Sequence, residues 1–398
     1  QMKTLLFPHF TFVTSLYYLS YTIIYGFVTV FMQYKGFNNT AIGLLMACAS
    51  ILCILFQFWA GSFLDHHPTL SVKTILLYSF IFTYIASILL FFSNQKWLIF
   101  ICYTFIGSIM TASASFINIL GMEYLNAKIA LNYSHARGWG SFSFACASLI
   151  VGSIINHFSI ESIFPIFFIT HLLLLFTLFT LTTANQLSYS IRLSPSYSYK
   201  DKFTTFFKKN PLILLLFINI FLIYIGYSSV FNFQFNIIKS VGGTSQELGI
   251  SNCIAAILEL PAMAFFTPLS KKFSYKNLLI TSCLFFFLKI IAFLCADNIA
   301  EIYLAQCLQF FSYGLFIPSS TYYLNSILPI QDKSKGQTLL GIFTFGLSGL
   351  ISSLLSGTIL DFFSVDILLA LEAILSFIGI IGICITCHFL TKNSTSPS

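Results

Sequence analysis

Four charged side chains lie in or beside stretches that are otherwise strongly apolar. Glu123 and Arg137 flank a short loop, whereas Glu259 and Lys289 lie near the middles of two long apolar runs. Charged groups inside a membrane chain are costly to keep, so they usually bind a solute or carry an ion. Because only 8% of the residues are charged, these four are the strongest functional signal in the sequence.

The first pair combines a guanidinium with a carboxylate. Arg137 is one of only two arginines in the chain, against 17 lysines. Its planar fork of donors can hold a carboxylate or, by exchange, two adjacent hydroxyl groups of a ligand. We therefore predict that Glu123 is the partner of Arg137 across the loop. The alternative is structural, with Arg137 as a positively charged residue of the inner face and Glu123 as an interfacial cap.

The second pair lies deeper in its apolar runs. Desolvation disfavours the charged form of a carboxyl group near the midplane, so Glu259 is suited to take up and release a proton. Pro261 follows it and can open the local backbone. Lys289 would neutralise Glu259 when no solute is bound. The alternative is a structural ion pair that links two helices.

The elements that must position these groups are membrane spans. The chain has 398 residues, is 57% hydrophobic and has a mean hydropathy of +0.89. A span needs about 20 apolar residues, and twelve such stretches are present. We place them at 7–33, 40–64, 73–93, 97–122, 137–157, 163–183, 211–238, 246–270, 277–296, 301–328, 336–361 and 366–391.

These stretches predict an all-α polytopic membrane protein with two bundles of six helices. The first bundle would take residues 1–183 and the second 211–398, with 184–210 as a polar cytoplasmic linker. Fifteen of the 19 Lys and Arg residues then lie on one side, and only Lys35, Lys96 and Lys239 lie in loops on the other. By the positive-inside rule both termini are cytoplasmic. We expect a monomer in the cell inner (plasma) membrane, in contact with lipid and not with nucleic acid.

The two halves repeat a short pattern, with Gly140-Ser-Phe142-Ser-Phe144 in the fifth span and Gly341-Ile-Phe343-Thr-Phe345 in the eleventh. A two-fold repeat of six spans is typical of transporters whose site lies near the midplane where the halves meet. Phe144 is a candidate to stack on a substrate ring.

Several segments resemble the major facilitator superfamily and, within it, the lactose permease-like oligosaccharide–proton symporters. They are 55–65 at the end of the second span, 122–128, 135–137 followed by 145–148, and 258–260. The resemblance implies that Glu123 and Arg137 contact a sugar. It also implies that Glu259 joins binding to proton coupling and that Lys289 replaces a family arginine. Asp65 would be a gating residue.

The chain also departs from that family. Gln309 and Ser312 stand where the family has a proton-handling histidine and glutamate, and Asn232 stands on a helix that carries acidic partners in the family. We therefore keep Asn232 and Gln309 as candidate solute contacts and assign the proton to Glu259. Phe144 offers an apolar platform without a ring donor, so galactoside specificity is not carried over.

We predict a secondary transporter, not an enzyme, that works by alternating access and symports a sugar or oligosaccharide with a proton. The proton is the only coupling ion expected, with no cofactor or metal. Nucleosides and aromatic acids are alternative solutes, and a drug or metabolite exporter of the same fold is an alternative class. Glu372, about two turns from the predicted outer face, is expected to reach the membrane interface.

Overall fold

The computed structural model describes residues 2–67, 70–126, 129, 133–183, 203–329 and 332–395. Within these ranges every regular element is helical and no strand is present. The predicted all-α polytopic fold is confirmed. In a bilayer, helices satisfy all backbone hydrogen bonds within one segment, which is why so apolar a chain forms them.

Seven α-helices precede residue 184, and a 3₁₀ turn at Ile160–Ser162 leads into the seventh. They are α1 (Met2–Ile24), α2 (Val28–Tyr34), α3 (Asn39–His66), α4 (Val72–Phe92), α5 (Lys96–Asn126), α6 (Tyr133–His157) and α7 (Ile163–Thr180).

Ten further α-helices follow from residue 203 onward in the described part. They are α8 (Phe203–Lys209), α9 (Pro211–Asn232), α10 (Gln234–Ser240), α11 (Ser245–Lys272), α12 (Tyr275–Leu294), α13 (Ile299–Cys307), α14 (Tyr313–Ile327), α15 (Lys333–Gly341), α16 (Ser348–Phe362) and α17 (Val365–Thr395). A 3₁₀ turn at Leu308–Phe310 joins α13 to α14, and a π-helical segment at Ile342–Leu347 joins α15 to α16.

Ten helical stretches of the described chain are long and apolar enough to span a membrane. An eleventh is obtained if the two parts of α11, which meet at an angle of 49°, count as one span. Pro261 precedes this bend, and a proline removes one backbone donor and kinks a helix.

The tenth predicted span, 301–328, differs from the expectation of one continuous helix. It is divided into α13, the 3₁₀ turn and α14, and Ser312 lies outside helical geometry with φ −84° and ψ −94°. Buried polar side chains lie at this break, including Gln306, Gln309 and Ser312. The interrupted helix therefore carries polar side chains into the protein interior. A uniformly apolar helix would place only apolar side chains there.

The described chain forms two compact units. The first holds the described residues of Gln1–Phe37 and Leu45–Ser196, where α1 packs on α6 and α7, and α4 packs on α5. The second holds those of Asn38–Leu44 and Tyr197–Ser398, where α9 packs on α16 and α17, and α12 packs on α14 and α17. The predicted bundle boundaries stay a prediction. Residues 184–202 of the predicted linker lie outside the described residues, whereas Phe203–Lys209 is helical.

Polar side chains fix where several helices begin. Ser71 accepts a hydrogen bond from the backbone N–H of Lys73 at the start of α4. Thr244 and Glu247 form a capping box at the start of α11. Such caps satisfy the first backbone donors of a helix, which have no partner within it.

Gly140 lets α1 and α6 approach closely within the first unit. A Cβ atom at this position would lie 2.5 Å from the ring of Tyr18 and 3.1 Å from the methyl group of Thr14. Only glycine fits there without displacing the Tyr18 ring. This contact matters for the site because the same ring lies against Arg137.

Candidate functional site

A chain of three polar side chains crosses the interior of the second unit. Lys289 on α12 donates from Nζ to Gln309 Oε1 at 2.5 Å, and Gln309 donates from Nε2 to Glu259 Oε1 on α11 at 2.9 Å. The amide therefore bridges the predicted Glu259–Lys289 pair. Both hydrogen bonds use a charged partner, which makes them stronger than neutral ones.

The three groups differ in burial along the chain. Lys289 is 5% exposed and Gln309 is 2% exposed, whereas Glu259 is half-buried. An ammonium removed from water needs an acceptor, and the amide oxygen of Gln309 supplies one. Glu259 is therefore the most exposed member of the chain.

The local backbone explains why Gln309 reaches both partners. It lies in the 3₁₀ turn Leu308–Phe310 at the break between α13 and α14. Immediately afterwards, Gly314 brings α14 against α11: a Cβ there would lie 2.5 Å from Ala262 Cβ and 3.6 Å from Glu259 Cα. The break and the glycine together hold Glu259 and Gln309 at hydrogen-bonding distance.

Aromatic rings lie on the helices that carry this chain and on α9. The Nζ of Lys289 lies 5.6 Å from the centroid of the Phe293 ring, within reach of a cation–π contact. Tyr227 and Tyr313 stack with their ring centroids 5.2 Å apart. Tyr224 packs edge-on against one phenylalanine and tilted against another, and it lies close enough to Glu259 to interact with it electrostatically.

The structure places Glu123 at the start of α4. Ser71 Oγ donates to Glu123 Oε2 at 2.6 Å, and the backbone N–H of Val72 donates to Glu123 Oε1 at 3.1 Å. A carboxylate at a helix N-terminus satisfies unpaired donors and interacts favourably with the helix dipole. In the described part of the chain, Glu123 forms no ion pair with Arg137. The predicted pairing was therefore wrong, and the alternative of a capping role is the one observed.

Arg137 lies on α6 against an aromatic ring. Its guanidinium carbon is 4.8 Å from the centroid of the Tyr18 ring on α1, and its NH1 donates to Ser141 Oγ at 3.3 Å. The stacking on Tyr18 and the hydrogen bond to Ser141 fix the plane of the guanidinium. Phe144 is half-buried and follows Arg137 by seven residues on α6, which places both near one face of that helix.

Two further predicted site residues, Asn232 and Asp65, lie near helix ends. Asn232 at the end of α9 donates from Nδ2 to Ser353 Oγ on α16 at 2.9 Å, so it joins two helices of the second unit. Asp65 lies in the last turn of α3, and its side chain lies outside the described residues. The structure therefore brings together Glu259, Gln309 and Lys289, and it places the Asn232 amide against Ser353.

Sequence reasoning missed two partners. Ser71 was not singled out, although a serine just before an apolar helix is a typical cap signal. Tyr18 was also missed, although Tyr17, Tyr18, Tyr21 and Tyr25 repeat along the first span. Gln309 was identified only as a solute contact, because its bridging role depends on a break in the helix that apolar composition does not reveal.

The fold and the buried polar groups define a polytopic membrane transporter of the major facilitator type. The MFS_1-like family matches residues 9–371, so the chain belongs to that family. Its resemblance to the superfamily is confirmed. The family and its structural neighbours are transporters, not enzymes.

Two relatives match across most of the chain. Maltose permease of Geobacillus stearothermophilus is 23% identical over 377 residues, which cover 94% of this chain and 92% of the permease. The uncharacterized transporter YwbF of Bacillus subtilis (strain 168) is 23% identical over 347 residues, which cover 86% of this chain and 83% of YwbF.

Solved structures show the same fold. The nucleoside transporter NupG superposes with a TM-score of 0.79 at 14% identity and covers 98% of each chain. A D-xylose-proton symporter superposes with a TM-score of 0.69 at 14% identity, covering 96% of this chain and 97% of the symporter.

Replacing Gln309 with leucine should destabilise the protein, because Lys289 would lose its buried acceptor. We expect a loss on the order of 3 kcal/mol, as for other broken buried charge contacts. The measurement is thermal unfolding of the purified protein. The double variant Gln309→Leu/Lys289→Met should regain most of the loss, since it removes the buried charge as well. A double variant no more stable than Gln309→Leu alone would contradict the bridging role.

Replacing Glu123 with glutamine should lower stability by about 1 kcal/mol, the usual effect of a lost helix cap. Thermal unfolding of Glu123→Gln, Ser71→Ala and the double variant forms the test. Because the two side chains share one cap, we expect the double variant to lose less than the sum of the single losses. Strictly additive losses would show that the two side chains act independently.

Proposed function

We propose that this protein is a proton-coupled symporter of a sugar or short oligosaccharide that works by alternating access. The observation that carries the proposal is the half-buried carboxylate of Glu259, tied through Gln309 to the buried ammonium of Lys289. We further propose that it lies in the cell inner membrane with both termini cytoplasmic, as the charge distribution favours.

Glu259 is suited to serve both the proton and the solute. A neutral amide, and not the ammonium itself, donates to its Oε1 at 2.9 Å. A neutral donor holds a carboxylate less strongly than a cation does, so a proton or a solute hydroxyl can compete for the carboxyl group. Protonation makes Glu259 neutral, and a neutral side chain crosses apolar surroundings at much lower cost during turnover.

Lys289 balances the charge of Glu259 when the proton is absent. Its ammonium stays within the unit, hydrogen-bonded to Gln309 at 2.5 Å. We propose that the Gln309 amide transmits the charge state of Glu259 to Lys289. Its nitrogen donates to Glu259, and its oxygen accepts from Lys289. In this proposal a neutral amide stands in the coupling path. The lactose permease-like resemblance would instead predict a histidine and a glutamate there.

Arg137 supports a sugar as the solute. Its guanidinium is held over Tyr18 and beside Ser141, and the planar fork of a guanidinium matches adjacent hydroxyl groups of a sugar. The aromatic ring beside it suits the apolar face of a pyranose. The similarity to maltose permease over 92% of that protein's length also favours a saccharide.

A nucleoside is the second candidate solute. It also offers adjacent hydroxyl groups to Arg137, and its flat base can stack on an aromatic side chain such as Phe144. The fold similarity to the nucleoside transporter NupG agrees with this candidate. Aromatic acids and export of a larger amphipathic compound remain further alternatives, because Arg137 alone does not separate them from a sugar.

We expect uptake by wild-type proteoliposomes to be driven by an inward proton gradient. The measurement uses radiolabelled maltose, xylose and uridine as separate probes, with and without the gradient. Glu259→Gln should lose gradient-driven accumulation and keep exchange of solute at equal concentrations, because its side chain stays neutral. Glu161→Gln, which alters an ion pair elsewhere in the chain, is the control. Normal accumulation by Glu259→Gln would refute the coupling role.

Replacing Arg137 with lysine should weaken solute binding at least 10-fold, because an ammonium cannot reproduce paired planar hydrogen bonds. The measurement is the shift in melting temperature as maltose, xylose or uridine is titrated, since a bound ligand stabilises the folded state. Lys335→Arg serves as a control for the general effect of exchanging these cations. Undiminished affinity in Arg137→Lys would show that the guanidinium does not hold the solute.

A further inference from the structure

A second carboxyl group is fully buried in the second unit. Glu372 lies on α17 and has 0% of its surface exposed. The expectation that it reaches the membrane interface was wrong, because this face of α17 packs against α9 and α12. Glu372 is not part of the Glu259–Gln309–Lys289 chain, and the proposed transport mechanism does not use it.

Glu372 ends a hydrogen-bonded chain through two hydroxyl groups. Ser356 Oγ on α16 donates to Ser229 Oγ on α9 at 2.8 Å, and Ser229 Oγ donates to Glu372 Oε1 at 2.6 Å. All three side chains have 0% exposure. The chain therefore connects α16, α9 and α17 through groups that water does not reach in this structure.

The other carboxyl oxygen differs from the first. Glu372 Oε2 is buried and has no hydrogen-bond partner among the described residues, and the same holds for Ser376 Oγ one turn further along α17. Both residues lie beside Gly226 of α9: a Cβ there would be 3.1 Å from Ser376 Oγ and 3.4 Å from Glu372 Cβ. Oε2 is therefore enclosed by tightly packed helices.

No cation balances a charge on Glu372 in the part of the chain described. It forms no ion pair there, and of the described side chains only the Ser229 hydroxyl acts on it as a specific partner. Lys289 on α12 is bonded to Gln309 instead, and Asp361 on α16 accepts from the backbone of Asn39 and Thr40. The titratable groups on α17 and the elements packed against it also include Tyr224, Tyr227, Lys239, Tyr275, Lys276, Cys283, Asp366, Cys384, Cys387 and His388.

An ionised carboxylate in this position would be costly. Removing an unpaired charge from water is expensive even after relaxation, and one hydroxyl donor offsets only part of that cost. A neutral carboxylic acid avoids most of that cost and still accepts from Ser229 through Oε1. The 2.6 and 2.8 Å contacts are ordinary hydrogen-bond lengths between oxygen atoms.

We propose that Glu372 is a second proton-binding site, which carries its proton on Oε2 at neutral pH. The neutral acid fastens α17 to α9 and, through Ser229 and Ser356, to α16. Loss of the proton places an unbalanced charge among these helices and loosens their packing. This site binds a proton whether or not Glu259 couples proton movement to solute transport.

The test is infrared spectroscopy of the full-length protein in lipid nanodiscs at pH 7. A protonated carboxyl group gives a C=O stretching band separate from that of a carboxylate. We expect a band that is present in the wild type, in Glu259→Gln and in the control Glu161→Gln, and absent in Glu372→Gln. Ser229→Ala should move the band to higher frequency, because the C=O group loses its donor. Exchange of NaCl for KCl should leave it unchanged.

Two results would overturn the proposal. Identical carboxyl regions in the wild type and Glu372→Gln would mean that Glu372 is ionised at neutral pH. Loss of the band in NaCl but not in KCl would mean that the site takes Na⁺ in place of the proton. If Glu372→Gln cannot be purified, the Ser229→Ala spectrum decides: a band that moves supports the assignment to Glu372, and a band that stays refutes it.

Discussion

A buried ammonium needs a hydrogen-bond acceptor, and in the second unit a side-chain amide supplies it. Lys289 is 5% exposed and obtains its acceptor from Gln309, which in turn donates to Glu259. Gln309 lies in the 3₁₀ turn at the break between α13 and α14, and from there it reaches both partners. Close packing at Gly314 holds α14 beside Glu259.

The first unit handles its charges differently. Glu123 accepts a hydrogen bond from a backbone N–H group at the start of α4, and the guanidinium of Arg137 lies over the ring of Tyr18. In both arrangements the charged group has polar or aromatic partners. The Arg137 guanidinium lies on an aromatic face, whereas the Glu123 carboxylate caps a helix. Solute contact by either residue stays a prediction.

Much of the fold could be predicted from the sequence. Spanning length and apolar composition locate most helices to within a few residues, because hydrocarbon thickness fixes the length of a span. The break within 301–328 could not be predicted this way, since the whole stretch is apolar enough to be one helix. For the same reason, the sequence did not predict that Gln309 bridges Glu259 and Lys289.

The candidate site was predictable in its residue types and less so in its contacts. Glu259 and Lys289 stood out because charge is rare in this chain, and the structure joins them through one amide. The Glu123–Arg137 pairing failed because proximity along the chain says nothing about which partner a carboxylate takes. Ser71 and the start of α4 come from a distant segment and compete for Glu123 more effectively. The burial of Glu372 was not predicted for a similar reason, because the position of a residue along a helix does not tell which face of the helix packs against other helices.

The central claim is that proton and solute meet at Glu259. Titration calorimetry of maltose, xylose and uridine in buffers of different ionisation enthalpy counts the protons taken up when a solute binds. We predict net proton uptake by the wild type above neutral pH with the solute that binds, and none by Glu259→Gln with the same solute. Equal proton uptake by both proteins, or solute binding to the wild type without any proton uptake across the pH range, would contradict this account.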